Sequence, residues 1–125
     1  MRRKCSRLQL LRFTSNLRIR LIGMESCGGS HVAAICAATL ALAHTGLLDE
    51  REHTSNGRRF IEKYVHKYQG QGMYRASRAV SDRLVITANG VALVAFAAEI
   101  LRTLAPERKL DIETYERLHA HGLLD

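Results

Sequence analysis

Residues Val32 to Ala43 read VAAICAATLALA, a short apolar run that holds one cysteine and passes directly into an alanine-rich helix former. Such a run makes a buried strand that breaks at Cys36 into a helix, so the thiol falls on a strand-to-helix turn. The first N–H groups of a helix lack internal partners and carry the positive end of its dipole, which favours a thiolate over a thiol. The amide of Ala37 then faces the place where an oxyanion forms. The same position also suits a small buried hydrophobe in a strand, where most free cysteines sit. Position alone leaves both readings open.

At 125 residues the chain is one domain at most, long enough for a core but short for a complete doubly wound sheet. Lys and Arg outnumber Asp and Glu by 19 to 12, and the excess sits in one place. Residues 1–20 hold seven basic residues (Arg2, Arg3, Lys4, Arg7, Arg12, Arg18, Arg20) and no acid, which leaves the remainder balanced at 12 against 12. The basic excess therefore describes an arm and not an active surface. That arm reads as a phosphate-binding tail, as an organelle transit segment, or, more plainly, as a poorly specified N-terminal helix or strand or a start created by truncation. The last is preferred, and nucleic acid is not an expected partner, because no aromatic stacking platform accompanies the charge. Absence of a secretory apolar region and of an 18-residue apolar run argues against export and membrane spanning. Cys5, Cys27 and Cys36 are odd in number and lack CxxC spacing, which argues against a disulfide framework or structural zinc and fits a reducing, cytoplasmic compartment.

Leu17 to Ile22 alternates at first like a strand, while Leu17 and Leu21 also suit a helix. Gly28, Gly29 and Ser30 form a turn before a strand over His31 to Ile35. The helix after Cys36 runs to about His44 and is capped by Gly46. A charged turn, Asp49 to Glu52, leads to His53 in the segment HTSN, a short strand end or loop in which a surface histidine is the simplest reading. Asn56 can cap a helix whose Phe60, Ile61, Tyr64, Val65 and Tyr68 form an amphipathic core face. His66 beside them is solvated. YQGQGM, residues 68–73, is glycine-rich but lacks both GxGxxG and the P-loop lysine, so no phosphate, cofactor or metal site is assigned.

Ala79–Val80 and Leu84–Thr87 read as short strands flanking a turn at Ser81–Arg83, and Asn89–Gly90 closes the last strand. Val91 to Leu104 is a helix apolar on nearly every side, which requires burial on more than one face, and Pro106 terminates it. The final helix, Asp111 to His121, places Ile112, Tyr115, Leu118 and His119 on one side and ends at Gly122. It covers a sheet edge or contacts a second subunit.

Four further segments follow AAIC in order: GLLD at 46–49, HTSN at 53–56, LVITANG at 84–90 and FAAEILRTL at 96–104. Taken together, from about Val32 onward, the chain resembles the PfpI-type family of the class I glutamine amidotransferase-like superfamily, which includes the Parkinson's disease deglycase. The resemblance implies an α/β, flavodoxin-like three-layer sandwich, present as an incomplete domain. Residues 1–30 would be a basic N-terminal segment and 31–125 the C-terminal part of the domain. It also favours a helix between Thr14 and Ser26.

By the same resemblance Cys36 is the nucleophile, His53 its histidine partner and the Ala37 amide the oxyanion donor. The chain departs from the family at Arg83, where glycine is frequent, and near Leu93 and Ala95, where proline and an acid are common. The family's first half supplies a glutamate that contacts the cysteine and a glycine of the oxyanion hole. Only 35 residues precede Cys36 here, and Glu25, the one acid among them, lies in the wrong place for that glutamate. Two functions follow. One is a cysteine-dependent hydrolase or glutamine amidotransferase-like protein acting on a small molecule or peptide. The other is a weak or inactive truncated member serving as an oligomerising or chaperone-like module, and a homo-oligomer is expected in either case.

Overall fold

Side chains alternate across a strand, and in the run before Cys36 they are small on both faces, so helices can pack closely on either side. The computed structural model describes residues 21–26 and 29–122, with side chains from His31 onward. The basic arm 1–20, Cys5, Cys27 and Gly28 lie outside the described residues, and Gly29 and Ser30, expected in a turn with Gly28, instead open the strand that runs to Ile35. In chain order the elements are β1 (Leu21–Ser26), β2 (Gly29–Ile35), α1 (Ala38–His44), α2 (Arg58–Tyr64), β3 (Ala79–Asp82), β4 (Val85–Ala88), α3 (Leu93–Leu104) and α4 (Lys109–His121).

The strands form one mixed sheet in the order β1-β2-β4-β3. At its centre β2 and β4 run parallel, with Val32 opposite Val85 and Ile35 opposite Ala88. Both outer strands are antiparallel to their neighbours. All four residues of β4 are buried, as a central strand covered on both faces requires.

Alternation then sorts the core into two layers. Ala34 and Val85 face α1 and α2, packing with Leu40, Leu48, Ile61, Val65 and Tyr68. Ala33, Ile35, Ile86 and Ala88 face the other way, onto Phe96 of α3. Helices on both faces of a mixed sheet make the α/β, three-layer arrangement expected, with α4 packed on α3.

Four expectations need correction. Over Leu21–Ser26 the chain is a strand and not the favoured helix; residues 14–20 lie outside the description. Ser26 pairs with Gly29, so only two residues join β1 to β2. The hairpin partner satisfies backbone groups on the edge of β2 that β4 leaves open. Second, α2 stops at Tyr64, and Val65 and Tyr68 enter the core from the segment after it.

Third, α3 is not buried on several faces. Phe96 and Ala98 are its buried residues, while Leu93, Leu101 and Leu104 are 55%, 40% and 51% exposed. The narrow sheet offers it one face, and α4 covers only part of the rest, burying Ile112. Last, α4 lies on α3 and not over a sheet edge, and Leu118 stays exposed. Arg102 of α3 binds Glu99 on its own helix at 3.0 Å and also Glu116 of α4, which fastens the pair.

The β3–β4 turn also differs in detail, because β3 continues through Asp82 and the chain reverses over Arg83 and Leu84 alone. Both have positive φ, 42° and 70°, the twist that a two-residue hairpin requires. Neither is glycine, so each carries a steric cost of about 1–2 kcal/mol. Among the described residues no helix is long and apolar enough to cross a membrane.

Candidate active site

β2 ends at Ile35, and the next residue turns the chain sharply. Cys36 has φ 59°, a left-handed conformation that L-residues visit at a cost and that marks strained functional turns. Hydrogen bonds on both sides hold it. Its N–H donates to the carbonyl of Ala88 at 3.1 Å, and its own carbonyl accepts from the Thr39 N–H at 3.2 Å. The Thr39 hydroxyl donates to that same carbonyl at 2.7 Å. Having spent its proton there, the Thr39 oxygen accepts from the Ser55 hydroxyl at 2.6 Å. Both side chains are buried, so the turn is braced from the core.

The strand-to-helix turn expected at Cys36 is thus present, and the alternative of a buried structural cysteine is not, since Cys36 is exposed. α1 follows from Ala38 with Ala37 at its N-cap, and among the described residues the Ala37 N–H has no acceptor.

Cys36 opens into a cleft of about 970 Å³ at the carboxyl ends of β2 and β4, where ligands collect in open α/β sheets. Ser55, Asn56, Tyr74, Arg78, Asn89 and Gly90 are among its walls. The residue that touches the thiol is Asn56. Its side-chain amide donates to Cys36 Sγ at 3.3 Å, and its Oδ1 accepts the Gly90 N–H at 2.7 Å. The two bonds fix which end of the amide faces sulfur. Gly90 is needed for this approach, because a Cβ there would lie 2.8 Å from Cys36 Sγ and 3.2 Å from Asn56 Oδ1.

This revises the expected helix cap at Asn56. α2 begins after Gly57, at φ 137°, with no side-chain cap, because the Asn56 amide is committed to the thiol and to Gly90. No signal in the sequence separates the two roles, since asparagine before a helix reads as a cap by default.

The expected pairing of His53 with Cys36 is not what the geometry provides. His53 is fully buried, and both ring nitrogens are occupied elsewhere. Nδ1 lies 2.6 Å from the Arg51 carbonyl, which can only accept, so Nδ1 carries the proton. Nε2 therefore accepts from the Tyr68 hydroxyl, at 2.6 Å. Tyr68 and Tyr74 set their rings edge-on around the imidazole. Burial pushes the His53 pKa down, outweighing the Arg51 carbonyl and Asp49, which pull it up. Burial likewise pushes the Tyr68 phenol up.

The glycine-rich loop is explained by this same site. A Cβ on Gly70 would sit 2.6 Å from the Leu48 carbonyl and 2.9 Å from His53 Cε1, so the loop is bare where it closes over the histidine. Among the described residues no group of three His, Cys, Asp or Glu side chains is placed to hold a metal ion.

An exposed cysteine at positive φ thus sits between a parallel strand and a helix at the carboxyl edge of a mixed α/β sheet. The chain belongs to the DJ-1/PfpI family, whose model matches residues 19–103. It is 43% identical over 76 residues to a Bacillus subtilis (strain 168) protein named "Uncharacterized protease YoaZ", covering 61% of this chain and 36% of that one. A second protein of the same organism, "Uncharacterized protease YdeA", is 32% identical over 91 residues, covering 73% and 46%.

Among solved structures, a thiJ/pfpI family protein from Bacillus anthracis superposes with a TM-score of 0.67 at 34% identity, covering 91% of this chain and 50% of that one. A DJ-1 superfamily protein from Agrobacterium tumefaciens gives 0.61 at 41% identity, covering 71% and 49%. The fold is thus the flavodoxin-like α/β fold of this family, in part. The chain spans less than half the length of these two curated relatives and about half that of the two structures.

Proposed function

We propose that the protein is a cysteine-dependent hydrolase or amidotransferase-like enzyme with Cys36 as its nucleophile. The observation that carries this is the exposed Cys36 thiol on a left-handed turn, oriented by the Asn56 amide at the floor of a cleft. The Cys36 sulfur, as thiolate, bonds to an acyl carbon, and the bond from that carbon to the leaving group breaks. The leaving group departs with the electron pair and takes a proton from solvent. Water then attacks the acyl-enzyme, releasing the acid and returning the thiol. The Ala37 N–H supports the oxyanion.

Asn56 donates a hydrogen bond but does not titrate, so it orients sulfur without removing its proton. Among the described residues no Asp, Glu or His lines the cleft. Slow turnover is the consequence, since a positioned acid or base contributes about a hundred- to ten-thousandfold. The test is hydrolysis of a small activated ester by the full chain. Low turnover that Cys36→Ala abolishes supports the assignment, and turnover that survives Cys36→Ala refutes it.

The second reading, an interaction module that self-associates, is favoured by a separate observation. Val91, Leu93, Leu104 and Leu110 are 94%, 55%, 51% and 78% exposed on and around α3 and α4, more apolar exposure than an isolated surface helix usually carries. Sedimentation equilibrium giving a homo-oligomer would support it, and a monomer across the micromolar range would exclude it. A cytoplasmic location accords with three cysteines that lack CxxC spacing.

A further inference from the structure

We infer that the cleft beside Cys36 takes acyl or carbonyl compounds carrying a negative charge, held by Arg78. This rests on the reading of Cys36 as nucleophile and adds the class of substrate. Arg78 is the one charged side chain among the described residues that line the cleft, and it is exposed, with no hydrogen bond or ion pair to its guanidinium among the described residues. Neighbouring arginines are differently placed. Arg75 binds Glu52 at 2.7 Å, and Arg83 lies 3.5 Å from Asp82. An uncompensated cation inside a concave wall raises the local concentration of anions, and the planar guanidinium fork matches a carboxylate or phosphate.

The backbone that carries Arg78 is held in place. The Asn89 N–H donates to the Arg78 carbonyl at 3.1 Å, and the Thr54 hydroxyl donates to the adjacent Ser77 carbonyl at 3.0 Å. The first bond ties Arg78 to the end of β4, next to Gly90, which packs against the thiol. The charge is therefore anchored at its base, on the wall of the cleft whose floor holds Cys36, while its tip is left open to a ligand.

Two alkylating reagents of nearly equal size test this on the full chain, iodoacetate as the anion and iodoacetamide as the neutral control. Rates at Cys36 are read by peptide mass spectrometry, with Cys5 and Cys27 as references in the same molecule. Arg78→Gln is expected to slow iodoacetate at Cys36 about three- to tenfold while leaving iodoacetamide within twofold. Arg78→Lys should keep most of the preference, and high salt should erase it in the wild type. An iodoacetate-to-iodoacetamide ratio unchanged in Arg78→Gln, with Cys36 still reactive, overturns the role of Arg78 alone. Failure of both reagents to modify Cys36 overturns the nucleophile reading, and this inference with it.

Discussion

The side-chain amide of Asn56 donates to Cys36 Sγ at 3.3 Å while its oxygen accepts from Gly90 at 2.7 Å. The thiol is therefore positioned by a residue twenty positions along the chain that is fastened in turn to Gly90, just past the end of β4. Replacing Asn56 with Ala removes a net interaction worth about 0.5–1.5 kcal/mol. Alkylation of Cys36 at neutral pH is expected to slow roughly two- to tenfold, with little loss of stability, as followed by iodoacetamide kinetics and thermal melting.

Gly90→Ala probes the same contact sterically. The new Cβ would be 3.1 Å from Cys36 Cβ as well as 2.8 Å from its sulfur, so the thiol, the amide or the turn must move. Cys36 reactivity should change by more than the melting temperature does. A variant that alkylates at the wild-type rate would show that the thiol is not packed against this glycine.

Tyr68→Phe removes the donor to His53 Nε2 and leaves a buried nitrogen without a partner. That costs about 1–3 kcal/mol, read as a shift in the denaturation midpoint. The histidine also sets a pH dependence. Its pKa lies below the ordinary 6.5 in the folded protein, so near and below pH 6.5 the unfolded chain binds more protons than the folded one. The contribution of His53 to stability is fully present above about pH 6.5 and is lost as pH falls toward the folded value. His53→Gln should flatten this acid limb while leaving Cys36 alkylation within a few-fold. A collapse of alkylation in a folded His53→Gln protein would restore the histidine to the thiol's chemistry.

Arg83 sits at φ 42° on a two-residue hairpin turn, and its exposed guanidinium donates to the Glu50 carbonyl and lies 3.5 Å from Asp82. Exposed contacts of this kind contribute little, whereas glycine relieves the steric cost of positive φ. Arg83→Gly is expected to stabilise the protein by about 1 kcal/mol in chemical denaturation.

Strand β2, the turn at Cys36, helix α1 with its Gly46 cap at φ 80°, and the β3–β4 hairpin were legible because each is written locally, in a run of apolar residues ended by a turn or helix former. The partner of Cys36 was not. Asn56 reads as a helix cap from its neighbours, and only the parallel pairing of β2 with β4 brings Gly90 and Cys36 to either side of it. His53 misleads for the complementary reason. Its neighbours read it as a surface loop histidine and the family resemblance pairs it with Cys36, yet its burial depends on Tyr68, Tyr74 and Gly70, all fifteen or more residues downstream. The strand β1 was hidden because its apolar spacing suits a helix as well, and the open edge of β2 decides the matter. In α3, composition indicated burial all round, but a narrow sheet with a single packed helix leaves Leu93 and Leu104 exposed.

The central claim is that Cys36 is the reactive group of this chain, and competitive alkylation tests it most directly. The full chain is treated with substoichiometric iodoacetamide at neutral pH and digested, and the modified fraction at each of Cys5, Cys27 and Cys36 is measured by mass spectrometry. The elbow geometry predicts that Cys36 is modified first and that Asn56→Ala narrows its lead. Modification of Cys5 or Cys27 ahead of Cys36 in the folded protein would contradict it.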